Sequence, residues 1–148
     1  NFEIKTLEKK DLKYSYRHSI FMNHNWIILK AYFTVKKDEA ERMIELINDR
    51  KKRRIESQPL EYPSAGSVFR NPEGMYAGKL IEDCNLKGYI HGGGEISSKH
   101  ANFIINKGNA TSNDIKYLMD LAHNEVLKKY NIKLHREQEL FNFGDKYE

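Results

Sequence analysis

Residues 58–72 contain all three prolines of the chain and a group of polar side chains that could bind a small anion. Ser67, Arg70 and Asn71 offer a hydroxyl, a guanidinium and an amide within one loop, which suits an anionic ligand rich in oxygen. Gly66 would allow a ligand to approach the backbone closely. The residues around Ser67 do not match the Gly-x-Ser-x-Gly elbow of hydrolases. A binding loop and a well-bonded structural turn both remain compatible with this stretch.

Two other groups of residues have a possible role in anion binding. Gly92–Gly94 precede polar residues and could cradle phosphate, but their spacing matches neither the P-loop nor the dinucleotide fingerprint, and a flexible loop is the preferred interpretation. Arg17 follows Tyr16, and an arginine behind an aromatic ring can clamp a carboxylate or phosphate. On local sequence alone, an ordinary surface arginine is the better interpretation of Arg17.

Acidic, metal-binding and polyanion-binding chemistry is weakly supported. Glu137 and Glu139 could share acid–base work, although a solvated acidic pair is the default. The six histidines show no ligand spacing, and Cys84 is the only cysteine, so no metal site is expected. The basic run Arg50–Arg54 lacks interleaved aromatics and is interpreted as a solvated helix end; no nucleic-acid partner is expected.

The composition is that of one ordinary soluble domain, or of one domain with a remnant of another. The chain has 148 residues, of which 39% are hydrophobic and 31% are charged. No apolar run approaches the roughly 20 residues that a membrane helix needs, so no membrane partner is expected. A single cysteine suits a reducing compartment, and the expected location is the cytoplasm.

The elements that must position these residues mix strands with helices. Alternation over Phe2–Thr6 predicts a short strand, and β-branched and aromatic residues predict a buried or half-buried strand over Trp26–Val35. Asp38 is the predicted N-cap of the helix that follows. The apolar face of that helix is predicted to comprise Ala40, Met43, Ile44 and Ile47.

The second half of the chain predicts two more helices and several strands. One helix carries Ala77, Leu80, Ile81 and Cys84, with Gly88 as its C-cap. The residues Asn102 to Asn106 predict a strand, and Thr111 or Ser112 caps the next helix. Further strands are expected near 132–134 and 140–143. The apolar face of the last helix is predicted to comprise Ile115, Leu118, Met119, Ala122 and Val126.

This pattern predicts an α+β fold in which helices pack on a small sheet. Residues 1–36 are expected to be a strand-rich remnant of a preceding domain, because the chain begins inside a predicted strand without a methionine. Residues 37–148 are expected to form the second domain.

Several motifs, taken in order, resemble those of one family. Residues 16–21 (Tyr-Arg-His-Ser-Ile-Phe) resemble its Tyr-Arg-x-Ser-x-Phe motif, and residues 63–72 (Pro-Ser-Ala-Gly-Ser-Val-Phe-Arg-Asn-Pro) resemble its Pro-x-x-Gly-Ser-x-Phe-Lys-Asn-Pro motif. Residues 77–82, 86–88 and 97–106 continue the pattern. The family is the UDP-N-acetylenolpyruvoylglucosamine reductases (MurB) of peptidoglycan synthesis, and the resemblance spans nearly the whole chain.

The resemblance implies that NADPH reduces FAD and that the flavin then delivers hydride to C3 of the enolpyruvyl group of UDP-N-acetylglucosamine. It implies that Ser67 is the proton donor to C2 and that Arg17 and Glu137 are the other catalytic residues. It places Asn71, Arg70 and Lys79 among the substrate-binding residues. By resemblance, residues 1–36 end the FAD-binding domain and residues 37–148 form the substrate-binding domain. Most of the FAD site then lies outside this chain, which alone is expected to have no turnover.

The sequence departs from the family pattern in three places: at Arg70, at residues 137–139, and after Phe141, where Asn142 and Phe143 precede Gly144. Arg70 replaces the commoner lysine, which keeps the charge but changes the donor geometry. The usual Glu-Val-Arg reads Glu-Gln-Glu at residues 137–139, which leaves Glu139 as a rival for Glu137.

The partner expected is the UDP-sugar, with no obligate protein partner. The alternative function is a non-catalytic basic module that binds polyanions through Arg50–Arg54, or a domain that binds nucleotide sugars without catalysis.

Overall fold

The computed structural model describes residues 2–141. The chain divides into two compact units, Asn1–Asp38 and Glu39–Glu148. No helix among the described residues is long and apolar enough to cross a membrane. Among residues 2–141, all the α-helices and strands belong to the second unit; in chain order they are α1 Ala40–Ser57, β1 Ser64–Ser67, α2 Ala77–Asp83, β2 Ile90–His91, β3 Gly94–Ile96, β4 Phe103–Asn106 and α3 Ser112–Tyr130.

The first unit contains no strand among its described residues, so the predictions of strands at Phe2–Thr6 and Trp26–Val35 are wrong for this structure. It holds two short 3-10 helices, Lys9–Leu12 and Ile20–Asn23, and one isolated antiparallel bridge between Ser15 and His18. Strand-forming composition makes a strand only where a neighbouring strand can take the backbone hydrogen bonds. Residues 2–38 supply no such neighbour for either segment.

Helix α1 confirms the helix predicted from its 3.6-residue apolar spacing. Its N-cap is Glu39, whose side chain makes no capping hydrogen bond to the helix, so the assignment of the cap to Asp38 is wrong. The apolar face is not buried: Ile44 and Ile47 expose 57% and 63% of their surface. The basic run Arg50–Arg54 lies on the exposed second half of the helix.

The second unit is built on a four-stranded antiparallel sheet with the strand order β1-β4-β3-β2. β4 confirms the strand predicted at residues 102–106. β1 lies inside the stretch predicted to be a loop, and the register between β1 and β4 shifts between Ser64 and Ser67. β2 and β3 form a hairpin, with Ile90 opposite Glu95 and His91 opposite Gly94.

Helices α2 and α3 were both predicted; they pack against each other, and α3 also packs on the sheet. Helix α3 begins with a reciprocal capping box, in which Thr111 Oγ1 accepts from Asp114 N at 3.1 Å and Asp114 Oδ2 accepts from Thr111 N at 2.8 Å. Helix α2 ends at Asp83 with Cys84 as its C-cap, so the assignment of the C-cap to Gly88 is wrong. The core comprises Val68, Phe69, Ala77, Leu80, Ile81, Leu86, Ile96, Ala101, Ile104, Leu118, Met119, Ala122, Val126 and Leu134.

The antiparallel sheet with packed helices confirms the α+β fold class. The strand predicted near 132–134 is absent, and the segment instead makes one isolated bridge, Phe69 with Arg136. Leu134 lies in this segment and is buried in the core without strand pairing. Its apolar character therefore reflects burial and not membership of a strand. The strand expected near 140–143 extends outside the described residues.

Candidate active site

Ser67 is the last residue of β1 and is half-buried. It lies opposite Phe103 of β4, and the residues after it leave the sheet as the chain turns toward α2. Gly66, immediately before Ser67, has a φ of +82°, in the left-handed region that favours glycine. The serine hydroxyl therefore sits where a strand ends and the backbone changes direction, at the border between the core and solvent.

Asn102 holds the two residues that follow Ser67. Its Oδ1 accepts from Phe69 N at 3.0 Å, and its Nδ2 donates to Phe69 O at 2.8 Å. Its main-chain carbonyl accepts from Val68 N at 2.9 Å. The side-chain amide thus takes the place of a neighbouring strand's peptide group beyond the last register pair of β1 and β4.

Residues 135–138 lie along the other side of the same segment. Arg70 N donates to His135 O at 2.9 Å, and Glu137 N donates to Val68 O at 2.8 Å. Gln138 Nε2 also donates to Gly66 O at 3.3 Å. The structure therefore brings Glu137 beside the segment that carries Ser67, although the two residues are far apart in sequence. Of the two acidic residues, Glu137 is half-buried and Glu139 is exposed.

Asn71 precedes α2, and Lys79 lies in the first turn of that helix. Asn71 Oδ1 accepts from Ala77 N at 3.0 Å, which satisfies one of the first backbone donors of the helix. Lys79 Nζ lies 2.8 Å from Asp83 Oδ1, one helical turn away, and 65% of its side chain is exposed. The hydrogen bond to Asp83 and its charge raise the pKa of Lys79, which keeps the ammonium protonated.

The two arginines occupy different surroundings. Arg70 is half-buried, and its Nε is a buried donor without a hydrogen-bond partner among the described residues. Arg17 belongs to the first unit, where it occupies the two-residue turn of the bridge between Ser15 and His18 with a φ of +56°. Its guanidinium carbon lies 5.8 Å from the centre of the Tyr16 ring. The second unit thus gathers Ser67, Arg70, Asn71 and Glu137 around one turn of the chain.

A protein-family model for the C-terminal domain of UDP-N-acetylenolpyruvoylglucosamine reductase matches residues 58–141, more than half of the chain. The chain belongs to the UDP-N-acetylenolpyruvoylglucosamine reductase family. The matched residues include β1, the turn after Ser67 and the segment of Glu137, which therefore belong to the family's C-terminal domain; Arg17 lies outside the match.

Named reductases are similar over most of this chain. The reductase of Caldanaerobacter subterraneus subsp. tengcongensis is 44% identical over 134 residues, covering 90% of this chain and 44% of the relative. That of Clostridium botulinum strain Okra is 47% identical over 131 residues, covering 88% and 43%. A crystal structure of the reductase from Thermus caldophilus aligns with a TM-score of 0.57 at 33% identity, covering 69% and 36%. The chain therefore spans less than half the length of the curated relatives it matches.

Asn102 holds the segment after Ser67, a contact that the local sequence did not predict. Asn102 is 4% exposed and stands directly before the apolar residues of β4, and a buried amide in that position needs hydrogen-bond partners. That requirement is the signal that would have singled it out. Its partners could not have been named, because Phe69 and Asn102 meet only through the pairing of distant segments.

Other polar residues of the domain also proved to be buried. Ser97 Oγ accepts from Lys99 N at 3.1 Å and from His100 N at 3.3 Å, which closes the turn after β3. The half-buried ring of His100 accepts from Asn102 N through Nδ1 at 3.2 Å, and desolvation lowers the pKa of this histidine. Glu95 is 5% exposed, with its carboxylate 3.5 Å from Lys107 Nζ. These contacts give each residue a structural role.

Proposed function

We propose that this chain forms the substrate-binding half of a reductase of peptidoglycan precursor synthesis. The reaction is the NADPH- and FAD-dependent reduction of UDP-N-acetylglucosamine enolpyruvate to UDP-N-acetylmuramate. The observation that carries the proposal is the hydrogen bond from Glu137 N to Val68 O, since it joins the segments of the two residues to which we assign acid–base work. Membership of the reductase family supports the same reaction.

The polar side chains of the second unit fit the acid–base and anion-binding part of this reaction. Bound FAD, once reduced by NADPH, supplies the hydride that adds to C3 of the enolpyruvyl group. The electron pair of the double bond then moves to C2 and onto the carboxylate as an enediolate, which the site must stabilise and protonate. We propose that the residues that would hold the flavin lie mainly in the region that the longer relatives have in addition to the part that matches this chain.

Ser67 is assigned as the proton donor to C2. A serine hydroxyl is a weak acid in water, so the step requires a strongly basic carbon and a donor held close to it. The half-buried position of Ser67 and the hydrogen bonds on both flanks of its segment support such a fixed donor. After transfer of its proton, the serine alkoxide regains one from solvent.

Glu137 and Arg17 are assigned to the developing negative charge. Glu137 is half-buried beside the segment of Ser67, and a carboxyl group hydrogen-bonded to the substrate there would stabilise the enediolate. Arg17 would offset anionic charge near the flavin and the substrate carboxylate. Both assignments extend the family motifs to this chain.

Three further residues are assigned to binding of the substrate. Arg70 and Lys79 supply cations for the carboxylate and diphosphate of the substrate. The buried Nε of Arg70, which lacks a partner among the described residues, supports a ligand-facing role for that side chain. The side-chain amide of Asn71 is oriented by the hydrogen bond that its Oδ1 accepts from Ala77 N. We place the reaction in the cytoplasm, with the UDP-sugar and NADPH as small-molecule partners and no obligate protein partner.

The test uses the full-length protein, incubated with NADPH and with or without UDP-N-acetylglucosamine enolpyruvate. We expect NADPH consumption that depends on the sugar, and a product two mass units heavier than the sugar substrate. NADPH consumption at the same rate with and without the sugar, or recovery of the sugar unchanged, would contradict the proposal.

One observation favours the alternative of a polyanion-binding module: the basic run Arg50–Arg54 is exposed on α1. Part of that charge is engaged locally, because Arg53 pairs with Asp49 at 2.5 Å and Arg54 Nε donates to Gln58 at 3.0 Å. A polyanion module would bind unrelated polyanions with an affinity that falls steeply with salt. Such binding by a protein without reductase turnover would favour this alternative.

A further inference from the structure

Asn102 is a buried polar residue that directly precedes Phe103, the register partner of Ser67. It is 4% exposed, and each of its main-chain and side-chain polar groups has a partner. Its main-chain N donates to His100 Nδ1, its main-chain O accepts from Val68 N, and its side-chain amide bonds both polar groups of Phe69. A buried amide engaged in this way fixes the backbone that it contacts.

The segment after Ser67 is held between Asn102 and residues 135–137. Val68 makes one hydrogen bond on each side, because its N donates to Asn102 O and its O accepts from Glu137 N. The bond from Asn102 to Phe69 and the bridge between Phe69 and Arg136 involve the same residue. A shift of the segment away from Asn102 would therefore move both Ser67 and the main chain of Glu137.

We propose that Asn102 is a positioning residue of the reductase, which sets the placement of Ser67 and Glu137 relative to each other through the backbone of Val68 and Phe69. This inference rests on the proposed function, because it assigns Asn102 to the proton-transfer step of that reaction. Asn102 itself does not contact the substrate in this account. Its effect is confined to the step in which the sugar is reduced and protonated.

The discriminating variant is Asn102→Asp in the full-length protein. It keeps the size and the acceptor to Phe69 N, but it replaces the donor to Phe69 O with a carboxylate oxygen. The new carboxylate oxygen and Phe69 O are then two buried hydrogen-bond acceptors that face each other, so the backbone of Val68 and Phe69 must move. A displacement of about 1 Å at a reacting group can cost on the order of 100-fold in rate. We expect the reoxidation of reduced flavin by the sugar to slow by about 10- to 100-fold, with flavin reduction by NADPH unchanged.

Lower pH provides a rescue that a general loss of packing does not predict. Protonation of the introduced carboxyl group restores a donor toward Phe69 O, so the reoxidation rate of Asn102→Asp, divided by the wild-type rate at the same pH, should rise as pH falls. The control is Val126→Ala, which truncates a fully buried side chain of α3 and removes none of the hydrogen bonds that hold Val68 and Phe69. That control should lower thermal stability and leave both half-reactions unchanged per folded molecule.

The outcomes separate the two claims. A wild-type protein that fails to reduce the sugar overturns the proposed function and this inference with it. With active wild type, a folded Asn102→Asp that reoxidises its flavin at the wild-type rate, or that loses both half-reactions equally, overturns the positioning role alone. If Asn102→Asp does not fold, Asn102→Ala replaces it in the same assays. Failure of both to fold identifies Asn102 as a general structural residue and also overturns the inference.

Discussion

Gly93 is packed so closely that a single methyl group should disrupt the turn between β2 and β3. A Cβ at Gly93 would lie 2.3 Å from Gly108 O and 2.4 Å from Ala110 N. Both contacts are with backbone, which cannot swing aside as a side chain can. The φ of Gly93 lies outside the left-handed region, so Gly93→Ala measures this overlap and not conformational strain.

The expected cost combines two terms. Insertion of a methyl group into a well-packed place costs about 1–3 kcal/mol. Moving the turn also strains the hydrogen bond from Lys107 N to Gly93 O, now 2.9 Å, which contributes about 1 kcal/mol. We therefore expect Gly93→Ala to lower the free energy of unfolding by about 2–4 kcal/mol, measured in urea by circular dichroism.

The matched control is Gly74→Ala, because Gly74 has a φ of +69° and open space where a Cβ would lie. Its left-handed backbone costs about 1–2 kcal/mol, partly offset by about 0.4–1 kcal/mol from the less flexible unfolded chain. We expect a net loss of about 1 kcal/mol. Gly93→Ala that is no more destabilising than Gly74→Ala would refute the close packing of the turn.

Two further predictions concern the surroundings of the candidate site. Asn71→Ala removes the acceptor for Ala77 N and should cost about 1 kcal/mol of stability in thermal unfolding, whereas Asn71→Asp keeps the acceptor and should remain close to wild type. Burial lowers the pKa of His100 below its ordinary value of about 6.5, so the unfolded chain binds a proton first as pH falls. This difference in proton binding has no effect on stability well above pH 6.5, and it lowers the free energy of unfolding increasingly below that pH. The free energy of unfolding of His100→Gln should therefore fall less steeply than that of the wild type between about pH 7 and 5. An equally steep fall in the variant would contradict this prediction.

Local patterns in the sequence were sufficient to predict the three helices and β4. The stripes of α2 and α3 repeat at helical spacing, and Thr111 precedes the last one as a capping residue, so short-range chemistry determines these elements. The same local reasoning failed for Trp26–Val35, where β-forming composition has no neighbouring strand among residues 2–38. A strand depends on a partner that local composition does not reveal.

In the candidate site, too, the residue types could be predicted from the sequence, whereas the contacts between distant segments could not. The residue types of Ser67, Arg70 and Asn71 indicated an anion-binding turn, and the family motifs added Glu137 from the other end of the chain. The bond from Glu137 N to Val68 O and the contact of Asn102 with Phe69 could not be predicted, since both depend on how distant segments pair. The three glycines suggested a flexible loop, but Gly93 and Gly94 serve close packing against backbone and against α3.

The assignment of Ser67 as proton donor is tested most directly by reoxidation of the reduced flavin in full-length Ser67→Ala. General acid catalysis contributes about 100- to 10,000-fold, and we expect a loss of that size on addition of UDP-N-acetylglucosamine enolpyruvate, with flavin reduction by NADPH intact. Ser64→Ala, which removes an exposed hydroxyl from the same strand, is the control and should react as wild type does. Reoxidation of Ser67→Ala at the wild-type rate would contradict the account.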